Sequence, residues 1–383
     1  MQTIYADNNA TTAVDPKVLE AMLPFLSELW GNPSSMHTFG GQVSGHVDLA
    51  REQVASILGA SAGEIIFTSC GTESDNAAIR SALAAKPSRR KIVTTAVEHP
   101  AVLNLAREMS KHGYEAVFTG VDGKGRLDLG AFRSALDGNT AVASVMWANN
   151  ETGVVFPIEE VASICAEMGV PLHVDAVQAV GKIRIDLKKT PIDYLALSGH
   201  KLGAPKGIGA LYVRRGTPFT PFIIGGHQER GRRGGTENVA SIVGLGRACE
   251  LAAGRIEEEN TRVAAMRDKL ERGILDSIPR SFVNGDRENR LPNTTNISFE
   301  AVEGEAILLM LNEFGICASS GSACTSGSLD PSHVMMAMGV PFTRAHGSIR
   351  FSLSCSNKDE EIDFIIERMQ PIIKRLRELS PVR

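Results

Sequence analysis

Between about residue 45 and residue 250, short apolar runs alternate with longer helical ones. That alternation restricts the fold more than any single motif. The segments 64–68, 91–95 and 141–147 read as strands, and 74–85, 101–112 and 158–168 read as helices. Two more apolar stretches, 170–174 and 192–197, extend the series. Strands that alternate with helices build a mostly parallel sheet covered on both faces. From 252 to 278 the pattern turns long, charged and helical, like a helix leading out of that unit. Beyond it, strands near 295–299 and 348–353 and helices near 303–314 and 358–379 read as a smaller α+β unit. A chain of 383 residues is long for one core, which fits two units.

Open α/β sheets gather ligands at the carboxyl ends of their strands, so the polar residues there carry the functional argument. Asp175 ends the 170–174 stretch, with Gln178 just after it, and the run Ser198-Gly199-His200-Lys201 follows the 192–197 stretch. Asp175 precedes Lys201 by 26 residues, about one strand-crossover-strand unit. An acid and an amine therefore sit at the ends of two neighbouring strands. The amine can form a Schiff base with an aldehyde cofactor, and the acid can pair with a protonated pyridine nitrogen; pyridoxal 5'-phosphate needs both. Lys201 alone would also suit an ordinary turn rich in Gly and Pro. Its company, with Asp175, Gln178, Ser198 and His200, points to the cofactor.

Other strand ends offer further groups. Gly71-Thr72-Glu73 follows the 64–68 strand and opens a helix, where backbone N–H groups suit a phosphate and Thr72 adds a hydroxyl; the same run also makes an ordinary helix cap. Ser198 and His200 could add phosphate contacts. His99 could stack on an aromatic cofactor or move protons, and also reads as a structural histidine. Asn150, in Asn149-Asn150-Glu151-Thr152-Gly153, could hydrogen-bond a carboxylate or simply make a turn. Arg350 lies in an otherwise uncharged strand, where a guanidinium wants a planar anion and a carboxylate fits best, unless it points to water from a sheet edge. Cys324 sits in Ala318-Ser319-Ser320-Gly321-Ser322-Ala323-Cys324-Thr325-Ser326-Gly327-Ser328, a run with little apolar surface to bury. Such a loop should be mobile, and its thiol is a candidate nucleophile. Most of the cysteines are expected to be small buried hydrophobes, with Cys324 the exception.

Composition excludes several classes. Net charge is −4, so there is no basic footprint for nucleic acid. No apolar run is long enough to span a bilayer, and the first residues lack the pattern of a secretory signal, so the expected location is cytoplasmic. No Cys-x-x-Cys pair argues for structural zinc, and no metal is expected. A nicotinamide dehydrogenase would want Gly-x-Gly-x-x-Gly after its first strand, which Gly71-Thr72-Glu73 is not.

Taken together, these residues resemble the pyridoxal-phosphate cysteine desulfurases of the NifS/IscS type, within the class-V aminotransferases, with wording closest to the nitrogen-fixation branch. The resemblance runs nearly end to end. It is carried by Tyr5-Ala6-Asp7-Asn8-Asn9-Ala10-Thr11-Thr12, Gly31-Asn32-Pro33-Ser34-Ser35, Glu98-His99-Pro100-Ala101 and Trp147-Ala148-Asn149-Asn150-Glu151-Thr152-Gly153. It continues through Asp175-Ala176-Val177-Gln178, His200-Lys201, Gly225-Gly226-His227-Gln228-Glu229-Arg230-Gly231 and Ser319-Ser320-Gly321-Ser322-Ala323-Cys324-Thr325-Ser326.

The resemblance implies a fold-type-I homodimer with a mostly parallel seven-stranded sheet. The large unit would span 12–250, and 1–11 with 251–383 would form a small α+β unit carrying the Cys324 loop. It implies that Lys201 binds the cofactor covalently, Asp175 pairs with the pyridine nitrogen, Gln178 meets the ring oxygen and His99 stacks on the ring. Gly71, Thr72, Ser198 and His200 would hold the phosphate, and Thr236 would reach it from the partner subunit. Asn150 and Arg350 would grip the carboxylate of L-cysteine. Cys324 would accept the sulfur as a persulfide and deliver it to an iron–sulfur scaffold protein. A selenocysteine lyase or an aminotransferase would share Lys201, Asp175 and Arg350, but an aminotransferase has no use for Cys324. The family often has His two positions after the lysine; here Gly203 stands there, and a wider pocket mouth is the expectation. Relatives with longer tails use them to dock a scaffold, and the chain here ends soon after Leu379.

Overall fold

In the computed structural model, residues 3–320 and 331–380 are described. Twelve strands occur among them: β1 (Ile4–Tyr5), β2 (Ile65–Thr68), β3 (Lys91–Thr95), β4 (Glu115–Thr119), β5 (Thr140–Met146), β6 (Leu172–Asp175), β7 (Tyr194–Ser198), β8 (Gly209–Val213), β9 (Ser281–Val283), β10 (Thr294–Phe299), β11 (Ile316–Cys317) and β12 (Ser348–Ser352). Seven of them form one sheet in the order β2-β8-β7-β6-β5-β3-β4. Only β8 runs against the rest, pairing antiparallel with both β2 and β7. The mostly parallel seven-stranded sheet is therefore present.

The central strands read as unbroken apolar runs because both faces are covered. All seven residues of β5 are buried, as expected for parallel strands under helices. The helices begin where their sequences say they should. His99 caps Pro100–Ser110, its Nδ1 accepting from Ala101 N at 3.2 Å, and Pro100 opens the first turn, where its missing N–H costs nothing.

Two departures from the sequence reading stand out. The connection from β6 to β7 contains no helix. It folds as a series of turns, with Val180 N bonding Ala176 O and Ile183 N bonding Ala179 O, yet it still brings β6 and β7 side by side in parallel. Gly181, at φ +78°, lets it pass close to its neighbours; a Cβ there would lie 2.7 Å from Leu202 Cδ2. The long charged helix also starts earlier than 252. Val239–Glu258 begins with two uncharged, mostly buried turns packed into the core, and its charges gather only toward its end. A π-helical segment, Glu259–Val263, joins it to Ala264–Ser277.

Apart from the main sheet, β12-β10-β9 form an antiparallel sheet and β1 pairs in parallel with β11. One apolar cluster gathers Ile4 and Ala6 with residues from Val263 onward, including Phe299, Phe351 and Ile365. The clusters beneath the seven-stranded sheet also take in Leu291, Val334 and Met335 from the C-terminal part. No helix among the described residues is long and apolar enough to cross a membrane.

Candidate active site

The carboxyl ends of β5, β6 and β7 open into a cavity of about 390 Å³. Nearly every residue singled out from the sequence lines it: Gly71, Thr72, His99, Asn150, Asp175, Gln178, Ser198, His200, Lys201 and Arg350. Thr236 does not; it is exposed on a separate loop. Cys324 lies outside the described residues. Gly203 is not in the lining either. At φ +80° it packs against the 12–15 segment, donating from its N–H to Thr12 Oγ1 at 2.9 Å.

Lys201 reaches the cavity from a short 3₁₀ turn, Gly199–Lys201, that follows β7 directly. Its Nζ donates to the backbone carbonyls of Asn9 and Ala10, both at 2.6 Å. Asp175 ends β6, and its Oδ1 accepts from Val177 N at 2.9 Å. Burial raises the Asp175 carboxyl above its ordinary value, while His99, the Val177 N–H and Lys201 pull it back. A cation placed against Asp175 would offset that burial. Burial also lowers His99, against the pull of Asp175, and lowers His200 to about 4, which favours a neutral ring there at pH 7.

One end of the cavity is built for an anion. The helix Gly71–Ala85 has no side-chain cap at its N-terminus, so its first backbone N–H groups face the cavity unanswered by a cap. Gly71 is required there: a Cβ would come 2.7 Å from Val177 Cγ2. The Ser198 hydroxyl is buried without a hydrogen-bond partner. An uncapped helix start, an orphaned hydroxyl and a neutral imidazole fit a phosphate, and a buried acid beside an amine fits a pyridine aldehyde. These residues suit pyridoxal 5'-phosphate.

Arg350 stands at the other end, and here the structure amends the sequence reading. Its carboxylate partner within the chain is Asp7, whose Oδ1 accepts from Nη2 at 2.6 Å. Nη1 donates to the Asn150 carbonyl at 2.9 Å. Arg350 is 2% exposed, so it does not point to water. The N-terminal segment thus contributes Asp7 and Asn9 to the site, roles the sequence did not reveal. His333, from the helix His333–Ala337, is another addition; its Nε2 lies 2.9 Å from the Glu98 carbonyl. Beneath the cavity, burial pushes Glu98 up to about 8 and Glu151 up to about 7.

Of the five described cysteines, Cys165 and Cys249 are buried, as expected. Cys70, Cys317 and Cys355 are not. Cys70 lines the cavity, and Cys355 donates from Sγ to Glu259 Oε1 at 3.3 Å. Cys355 also packs against the C-terminal apolar cluster.

Comparison with known proteins gives this geometry a class. Residues 4–365 match the model of the family described as aminotransferase class-V. A solved structure described as a NifS-like protein superposes with a TM-score of 0.92 at 39% identity, covering 98% of this chain and all of that one. A NifS-like protein from Rickettsia africae superposes with a TM-score of 0.87 at 32% identity, covering 97% and 100%. Among curated proteins, a cysteine desulfurase of Trichormus azollae is 60% identical over 383 residues, covering all of this chain and 96% of its own. The cysteine desulfurase NifS of Azotobacter vinelandii is 59% identical over 382 residues, covering 100% and 95%. The fold is thus that of a class-V aminotransferase-type enzyme, and within that class the chain belongs to the cysteine desulfurase family of NifS type.

Proposed function

We propose that this enzyme takes sulfur from L-cysteine and leaves L-alanine, using pyridoxal 5'-phosphate as cofactor and Cys324 as the first sulfur acceptor. The observation that carries the reading is the convergence of Lys201 and Asp175 in one cavity whose far end is an uncapped helix start. The names of its relatives support the substrate.

When bound, pyridoxal 5'-phosphate supplies an electron sink for charge developing at the substrate α-carbon. Lys201 would hold the cofactor covalently, and its amine would serve as the base for the substrate α-proton. Asp175 would keep a proton on the ring nitrogen. Gln178 would bond the ring oxygen, and His99 would stack on the ring. Gly71, Thr72, Ser198 and His200 would hold the phosphate, with Thr236 reaching it from the partner subunit. Arg350 uses two of its five donors on Asp7 and Asn150; the substrate carboxylate takes others, with Asn150 beside it. The Cys324 thiolate then attacks the substrate sulfur. An S–S bond forms, the Cβ–S bond breaks, and a proton ends on the former Cβ as alanine leaves. A scaffold protein for iron–sulfur clusters, in nitrogen fixation or housekeeping, accepts the persulfide sulfur. The Cys324 role rests on sequence and family resemblance.

The same reading divides the chain into a large unit, 12–250, and a small one, 1–11 with 251–383. A separate apolar cluster built from Ile4, Ala6 and residues beyond Val263 supports it. It makes the protein a cytoplasmic homodimer. Support comes from apolar side chains left bare on one protomer, among them Leu26, Trp30, Met36 and Ile224, and from an exposed Thr236 that does not line its own cavity.

The test counts alanine and sulfide from L-cysteine with a thiol reductant. Equal amounts from the wild type, with sulfide lost in Cys324→Ala and all turnover lost in Lys201→Ala, are expected. Keto acid as product would move the protein to the aminotransferases. Alanine formed only from selenocysteine, regardless of Cys324, would make it a selenocysteine lyase.

A further inference from the structure

Lys182 lies in the turn-rich connection between β6 and β7, and nothing in the reading above uses it. It is 7% exposed. A lysine is rarely so buried without a task for its charge. Its Nζ donates to Gln178 Oε1 at 3.1 Å and lies 3.5 Å from Asn9 Oδ1. On the other side of the same amide, Gln178 Nε2 donates to the Asn9 backbone carbonyl at 3.0 Å. That carbonyl is also the acceptor for Lys201 Nζ.

Asn9 is itself immobilised. Its Nδ2 donates to Thr294 Oγ1 at 2.8 Å and to Asn150 O at 3.2 Å, and its Oδ1 accepts from Asn293 Nδ2 at 3.1 Å. The Lys182 carbonyl is tied to Asn260 Nδ2 at 2.8 Å, in the π-helical segment. The charges facing Lys182 are Glu259 from that segment and Arg350 from β12; burial, the largest influence, lowers its ammonium to about 8.

The chemistry of the two neighbours decides which way the Gln178 amide points. An ammonium only donates, and a backbone carbonyl only accepts. The amide oxygen must therefore face Lys182, and the amide nitrogen must face Asn9. Flipping it would set the NH₂ group against an ammonium and an oxygen against a carbonyl. One Nε2 proton serves Asn9, and the other remains for the cavity. Gln178 can offer the cavity a donor and nothing else.

We propose that Lys182 is a positioning residue that locks the Gln178 amide with its N–H toward the cavity, and so favours the anionic state of the ring oxygen that Gln178 meets. This rests on the pyridoxal 5'-phosphate reading above. A donor on that oxygen, with a cation behind it, favours loss of the neighbouring proton on the nitrogen that joins cofactor to lysine. That proton sets the pH midpoint of the cofactor's visible absorption.

The test is a spectroscopic pH titration of the protein loaded with pyridoxal 5'-phosphate, with cofactor affinity measured by equilibrium dialysis. Lys182→Met should raise the midpoint by about one pH unit and weaken binding of the cofactor. Lys182→Gln, which keeps a donor but loses the charge, should shift it less in the same direction and serves if Lys182→Met does not fold. In a Gln178→Leu background, Lys182→Met should shift the midpoint by less than half as much as in wild type. A folded Lys182→Met or Lys182→Gln protein with the wild-type midpoint overturns the proposal, as does an undiminished shift in the Gln178→Leu background. A wild-type protein that takes up no visible chromophore overturns the cofactor reading itself, a separate failure.

Discussion

Glu98 shows what burial does to an acid in this fold. Its Oε1 accepts from Thr95 Oγ1 at 2.7 Å and Met146 N at 2.9 Å, yet Oε2 is buried without a partner. Burial raises its native value to about 8 from an ordinary 4.5. The native state then keeps a proton that the unfolded chain releases above about pH 4.5, so stability falls as pH rises from about 4.5 to 8. Glu98→Gln preserves the acceptor and removes the titration. Its melting temperature should vary less than that of wild type between pH 5 and 8, as thermal melts across that range would show. The residues legible in the sequence were those at strand ends, such as Asp175 and Lys201, where strand-helix alternation places ligands. Asn9, Asp7, Lys182 and His333 were not, because each matters through a neighbour far away in the chain. Lys201 meets the Asn9 carbonyl across 192 positions, and no local pattern encodes such a meeting.

At the scale of elements, the segment Gln228–Gly231 carries the clearest strain. Glu229 and Arg230 adopt φ of 49° and 58°, in the left-handed region that side chains disfavour. A buried ion pair holds them there. Arg51, from the helix Thr38–Ile57, donates twice to Glu229, at 2.7 and 2.8 Å, and Glu229 Oε2 also accepts from Phe67 N in β2. Arg51→Met would leave a buried carboxylate uncompensated and should destabilise the protein by about 3–5 kcal/mol, measurable by denaturant unfolding. The elements best read in advance, β3 and the helix Ile158–Glu167, show one period from end to end. The helix beginning at Val239 was recognised late because its first two turns, Val239–Gly246, carry no charge and are mostly buried. The link from β6 to β7 kept the expected spacing without a helix, since turn bonds can close a parallel pair as well as a helix can.

At the scale of the molecule, bare apolar side chains and an outlying Thr236 ask for a second copy. Ile224 is 89% exposed and Met36 fully so, more than a monomer gains by leaving open. Sedimentation should report a dimer at micromolar concentration, and Ile224→Asp combined with Met36→Asp should shift it toward monomer while weakening cofactor retention. A monomeric wild type would end the homodimer reading. The site's construction also has a timing that no finished fold displays. Asp7 and Arg350 are 343 positions apart, and β1 waits for β11. At roughly 5–20 residues per second of synthesis, the N-terminal segment leaves the ribosome about 20 to 70 s before its partners exist. Until then the carboxylate end of the cavity has no Arg350. The Asp7–Arg350 end of the site is therefore complete only once nearly all of the polypeptide has been made.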